Sequence, residues 1–438
     1  MTNDLLTVKN EFLREEYHKI VHKSGLNVYI FPKNLSTTYA SITVRFGSLD
    51  NTFRFSDEDE LLVMPDGIAH FLEHKMFESE DHVDTFDKFA AVGASANAYT
   101  SNEVTSYLFT TPTDVEEPLK ILLDYVFHPY FTDKNVEKEV GIVGQEIKMY
   151  SDSPGSRLYH SMMQLMYQNH GIRTDICGTM ETISEITPAL LNRCHSAFYR
   201  PENMFLIVCG NVEVDRILSV VDAVIPTFPP QTPVVLDYPE EPAAILRKRA
   251  EFHMDIARPK LCVGIKDTHL KGTPKEQERR AIAINMLCDL DFGESTPFYE
   301  RLYSSGLISR DFSAYYESLR DCGHLLCGGA TDEPERLLAA IREEFARIVA
   351  DPTALAADLD RIKRVHYAEF IKDFDDTEEI ASALLDAVLE ETELFEAGSV
   401  ILSIELPEIY EIAKELLCED ALVYTVIHPM KGRNTSYA

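Results

Sequence analysis

The chain has 438 residues, 45% of them apolar, enough to bury the cores of two or three domains and too apolar for a disordered polymer. Lys and Arg number 41 against 73 Asp and Glu, a formal charge of −32, which argues against nucleic acid or an anionic membrane as the main partner. Acidic clusters such as SDEDE at 56–60 and PEEP at 239–242 read as solvated loops.

The N-terminus, MTNDLLTVKNEFLREEYHKI, carries charges every few residues and no apolar run of signal-peptide length. No window reaches the ~18 consecutive apolar residues of a spanning helix. The expectation is a soluble, cytoplasmic protein with no membrane partner. The eight cysteines contain no CxxC pair and several sit in apolar runs, as buried thiols of a reducing compartment do.

In chain order, GLNVYIFP and YASITVRFGS read as strands from their β-branched and aromatic content and bounding Gly or Pro. Helical periodicity follows at 66–78, where Ile68, Phe71, Leu72 and Met76 form a stripe, and at 83–92. SANAYT and TSYLFTTP are strand-like. Helices are predicted at 115–127 and 134–150 and onward to about 199, and the buried strand NMFLIVCGNV and a short helix near 213–224 close the unit. This gives an α/β domain at 1–225, then a Pro-rich linker at 226–245.

The second domain, 246–438, repeats the order: strand KLCVGIKD, helix EQERRAIAINMLCDL, strand pair FSAYYES and HLLCGGATD, two long amphipathic helices, and the closing strand ALVYTVIHP. Matching order predicts a duplicated α+β protein, two α/β-sandwich halves each with a mixed sheet and packed helices. AIAINMLCDL stands where the first half has HFLEH, so one chemical site per chain is expected.

His70, Glu73 and His74 point to a zinc site. Helical spacing puts i, i+3 and i+4 on one face. Two imidazoles at i and i+4 can hold one zinc ion, and the carboxylate beside them can take a proton from a water the ion acidifies. The order His-x-x-Glu-His is the inverzincin signature. Downstream, Glu139 and Glu146 are seven residues apart, two turns along one helix whose face is otherwise apolar at Val136, Val140, Val143 and Ile147. Unpaired charges there would be costly, and a metal or a metal-bound histidine would compensate them.

GIAHFLEHKMF, GASANAYTSNEVTSYLF and EKEVGIVGQEI together resemble the zinc helix, the substrate strand and the third-ligand helix of the pitrilysin and mitochondrial-processing-peptidase superfamily, above all its bacterial YmfH-like members. The resemblance spans essentially the whole chain. It implies zinc held by His70, His74 and Glu146, Glu73 as general base, and Glu139 as the carboxylate supporting a ligand. Ser95, Ala96 and Asn97 would lie on an edge strand to which a peptide substrate adds. The implied activity is that of a zinc endopeptidase; a non-catalytic assembly subunit of the same fold is the alternative.

Relatives acting as single chains or homodimers supply an Arg and a Tyr, seven apart, from the second half to the oxyanion. Here the matching segment ERLYSSGLISRDF has Tyr303 at the Arg position and Ser309 near the Tyr position. The resemblance therefore implies a same-fold partner subunit that brings the missing pair. A shifted pair, Arg301 or Arg310 with Tyr315 or Tyr316, is the other way to complete the site. The acidic stretch NTFRFSDEDELLVMP departs from the family pattern.

Overall fold

Met204–Gly210 (MFLIVCG) is buried at every position, as expected of a strand with ladders on both sides and both faces covered. It pairs in parallel with Asn27–Pro32 and antiparallel with Thr38–Val44. Thr38–Val44 pairs with Thr105–Thr111, and Thr105–Thr111 with Ser95–Thr100, which forms one edge of the sheet. On the other side Asn27–Pro32 pairs with Glu15–Val21, and that strand with Leu5–Asn10, completing seven strands. The N-terminal hairpin was not anticipated, because its charged residues alternate too loosely to signal strands. These relationships come from a computed structural model, which describes residues 5–225, 227–228, 232–351 and 358–430.

A second sheet orders its strands Arg249–Met254, Leu422–Pro429, Lys260–Asp267, Cys322–Ala330, Ser313–Leu319. Its first pair is parallel and the other three antiparallel. Five strands of the first sheet, from Asn27–Pro32 to Ser95–Thr100, have the same order and the same directions. The expected duplication is thus present in topology: Pro274–Phe292 follows its strand as Ile68–Met76 follows Thr38–Val44. The long helix starts at a capping box formed by Thr273 and Glu276.

The compact units are interleaved in sequence. Met1–Lys148, Thr174–Pro239 and Ile371–Asp386 form one, and Met149–Arg173, Glu240–Phe370 and Ala387–Ala438 the other. A division at 226–245 assigns 149–173 and 371–386 to the opposite units. Helix Pro154–Met166 joins the second unit because its Met162 and Met166 pack on Gly264, where even a Cβ would stand 2.4 Å from Met166, and Ser161 Oγ lies 2.8 Å from Thr425 Oγ1. Phe374 joins the first, its ring 6.2 Å from that of Phe31.

The expected linker contains a strand, Val234–Leu236, antiparallel to Thr52–Phe55, which also pairs with Leu62–Val63. Residues 226 and 229–231 of that linker lie outside the described residues. The unexplained acidic stretch is therefore a surface hairpin: alternate residues Phe53 and Phe55 enter the core while 56–60 are exposed.

The core of the first unit joins sheet residues Ile42, Phe109, Leu206 and Val208 to Leu119, Leu122 and Val126 of helix Glu116–Phe127 and Ile217 of Val214–Val224. Each such side chain fully buried contributes about 1.5–3 kcal/mol. None of the eight cysteines is in a disulfide; six are buried, Cys262 is half-buried, and Cys418 departs from the expectation by being exposed. Among the described residues no helix is long and apolar enough to cross a membrane.

Candidate metal centre

Helix Ile68–Met76 buries Ile68, Phe71, Leu72 and Met76, which turns His70, Glu73 and His74 toward the neighbouring face. Its entry is set by two glycines with left-handed backbones. A Cβ on Gly67 (φ +91°) would stand 2.5 Å from Cys177 O, and one on Gly178 (φ +70°) 2.3 Å from Asp66 O. Only glycine permits this approach, which brings the Cys177 loop against the helix.

Helix Asp133–Ser151 supplies Glu139 and Glu146. Glu146 Oε2 lies 3.7 Å from His70 Nε2 and 3.4 Å from His74 Nε2, and the two imidazole rings are 4.6 Å apart. Donors at ~2.0–2.1 Å from a tetrahedral ion stand about 3.3 Å from one another. One carboxylate oxygen facing two ring nitrogens at such separations has the dimensions of a shared ion.

The protonation pattern agrees. Burial, then the neighbouring His74, lowers His70 to about 4, so its ring is neutral at physiological pH with a lone pair to give. Its Nδ1 is buried with no hydrogen-bond partner among the described residues. His74 Nδ1 lies 3.1 Å from Glu139 Oε1. A carboxylate oxygen there accepts, so Nδ1 carries the proton and Nε2 is left for an ion. Burial works against a charged His74, yet the hydrogen bond to Glu139 and the carboxylates of Glu73, Glu139 and Glu146 raise its pKa, so protons compete for this site. The residues present fit zinc: neutral imidazoles and a carboxylate are its usual donors.

Glu73 is buried, and burial raises its pKa; the hydrogen bond from Thr100 opposes the rise and Glu146 adds to it. A carboxylate held above its ordinary range is suited to take and return a proton near neutrality. Thr100 Oγ1 donates to Glu73 Oε2 at 2.7 Å and ends the edge strand Ser95–Thr100, so base and strand are mechanically joined. On that strand Ser95 and Asn97 are exposed and Ala96 is half-buried, opposite Thr110, Leu108 and Phe109 respectively.

Glu139 is almost fully buried; burial would raise its pKa, but His74 and Lys75 lower it. The structure thus brings together His70, His74, Glu146, Glu139 and Glu73. Three neighbours were not singled out from the sequence: Thr100, Lys75 and Cys177. Ligand atoms of His70, Glu146 and Cys177 all lie within 4.8 Å of one another, a group that contains Cys177 in the place expected of His74. We take His74 as the donor because its Nε2 is 3.4 Å from Glu146 and its tautomer is fixed by Glu139, whereas burial and the nearby Asp175 raise the Cys177 thiol and keep it protonated. Chain adjacency to Gly178 was the only sequence signal for Cys177.

In the second unit, three of the four residues of the shifted Arg and Tyr pair have polar neighbours. Arg301 lies 3.6 Å from Glu344, Arg310 bonds Tyr303, and buried Tyr316 donates to Asp267 Oδ2 at 2.9 Å. Tyr315 is exposed.

Residues 55–180 match the family described as Insulinase (Peptidase family M16), and residues 185–365 match Peptidase M16 inactive domain. The chain is 37% identical over 425 residues to the Bacillus subtilis protein named uncharacterized zinc protease YmfH, covering 96% of this chain and 99% of the other. The crystal structure of a putative M16-like peptidase from Alicyclobacillus acidocaldarius superposes with a TM-score of 0.90 at 32% identity, over 97% of this chain and all of that one. A protease from Helicobacter pylori shares the fold, with a TM-score of 0.77 at 19% identity over 95% of this chain and 100% of that one. With two family matches covering most of its length and both sheets built on one topology, the chain belongs to the M16 peptidase family.

Proposed function

We propose that this protein is a zinc-dependent endopeptidase and the metal-bearing subunit of a heterodimer, acting on peptides or unfolded segments in the cytoplasm. The observation that carries the reading is Glu146 Oε2 facing His70 Nε2 and His74 Nε2 at 3.7 and 3.4 Å, with the Glu73 carboxylate one residue from His74. When bound, zinc would supply Lewis acidity toward a peptide carbonyl and toward a water. His70, His74 and Glu146 would hold it. Glu73, kept basic by its burial and in place by Thr100, takes the proton of the attacking water and passes it to the leaving amine. A peptide adding to the free edge of Ser95–Thr100 would be aligned by main-chain hydrogen bonds, with Ser95, Ala96 and Asn97 beside it.

The partner reading is supported by the second unit, where Arg301, Arg310 and Tyr316 already have partners. Loss of one oxyanion donor costs ~100- to 1,000-fold in turnover, so a lone chain would be nearly idle. Eight cysteines without a disulfide support a reducing compartment.

The test is zinc content together with cleavage of a peptide library, by the chain alone and mixed with a same-fold homologue that lacks HxxEH and carries the Arg and Tyr. About one zinc per chain and activity that rises on mixing support the proposal. Full activity of the lone chain removes the heterodimer. Zinc binding with no cleavage in either state favours an assembly subunit, a reading that the match to an inactive domain at 185–365 keeps open.

A further inference from the structure

We infer that Lys75 is a positioning residue of the metal centre, orienting His74 through Glu139; the inference rests on the zinc reading above. Lys75 is fully buried. Lysines are almost never found so unless their charge is paired, and a pair taken out of water must return something for its desolvation. Lys75 Nζ lies 3.1 Å from Glu139 Oε2 and 3.0 Å from Glu78 Oε1, and Glu78 continues to Lys138 at 3.3 Å. Charges therefore alternate along Glu139, Lys75, Glu78 and Lys138, from the buried site to the surface.

Glu139 is not merely a counter-ion to the lysine. Its other oxygen, Oε1, is the atom 3.1 Å from His74 Nδ1. A carboxylate is planar and rigid, so anchoring Oε2 on the ammonium fixes where Oε1 stands and hence the orientation of the imidazole. His74 Nε2, 3.4 Å from Glu146 Oε2, completes the path from the lysine to the ligand atoms.

The experiment measures the zinc dissociation constant by chelator competition, and the visible spectrum of the cobalt(II)-loaded protein, for the wild type, Lys75→Met, Glu139→Gln and the double variant. If Lys75 acts through Glu139, Lys75→Met weakens zinc binding by about 10- to 100-fold, as loss of a group supporting a ligand commonly does. The double variant is then no weaker than Glu139→Gln alone, and the cobalt spectra of those two coincide. Lys75→Met with wild-type affinity and spectrum overturns the inference, as does a double variant whose losses multiply. Should Lys75→Met fail to fold, the comparison of Glu139→Gln with the double variant still decides. A wild type that binds no zinc overturns the metal reading itself, whereas a zinc-binding wild type with an indifferent Lys75 overturns only the role of the lysine.

Discussion

Thr100 Oγ1 donates a 2.7 Å hydrogen bond to Glu73 Oε2, joining the last residue of the edge strand to the carboxylate proposed as the base. The bond favours the ionised form, opposing the burial that raises the pKa of Glu73. Thr100→Val removes it, so Glu73 holds its proton to higher pH and the acidic limb of kcat/KM moves upward. A pH–rate profile of the variant coincident with the wild type would return Thr100 to a purely structural role.

The ligand and base assignments separate in two measurements. His70→Ala and Glu146→Gln lose zinc, since two remaining protein donors hold the ion too weakly. Glu73→Gln retains it, because Glu73 is bonded to Thr100 rather than to Glu146 or the imidazoles, yet its turnover drops by about 100- to 10,000-fold. Metal analysis beside peptide hydrolysis checks both, and wild-type turnover in Glu73→Gln would refute the base.

Asn97 is exposed on the edge strand and its Oδ1 accepts from the Ala98 amide at 2.9 Å. If a peptide lies along this edge, Asn97→Ala raises KM by about 3- to 10-fold, the worth of about one hydrogen bond, with kcat and zinc content little changed. Loss confined to kcat would move Asn97 away from substrate binding.

In the second unit, Asp291 is buried beside Glu344, and both meet Arg347. Burial first, then the Glu344 charge, raises the pKa of Asp291. Its folded value stands above its unfolded one, so the stability it contributes is complete below about pH 4 and is lost as pH rises through the raised value. Asp291→Asn removes this loss: urea midpoints measured from pH 5 to 8 fall less steeply than those of the wild type. Equal slopes would show that Asp291 is ionised throughout.

What the residues alone determined is local. His70, Glu73 and His74 share a face because a helix turns every 3.6 residues, and Glu139 and Glu146 do so because seven residues make two turns. Spacing of this kind needs no knowledge of the fold, and the buried run MFLIVCG likewise announced a central strand. The tertiary structure decided which faces meet. Thr100 reaches Glu73 across 27 residues and Lys75 reaches Glu139 across 64, contacts set by how one helix packs on an edge strand and a second helix. The same holds for Cys177, brought to His70 by glycine backbones that touch, and for Val234–Leu236, whose three residues are too few to signal a strand until Thr52–Phe55 offers it a ladder. Interleaving of the two units is of this kind as well: Pro154–Met166 is an ordinary amphipathic helix in sequence, and its packing on Gly264 and its hydrogen bond to Thr425 determine which sheet it covers. Periodicity records that a residue is to be buried, while its partner depends on packing between segments distant in the chain.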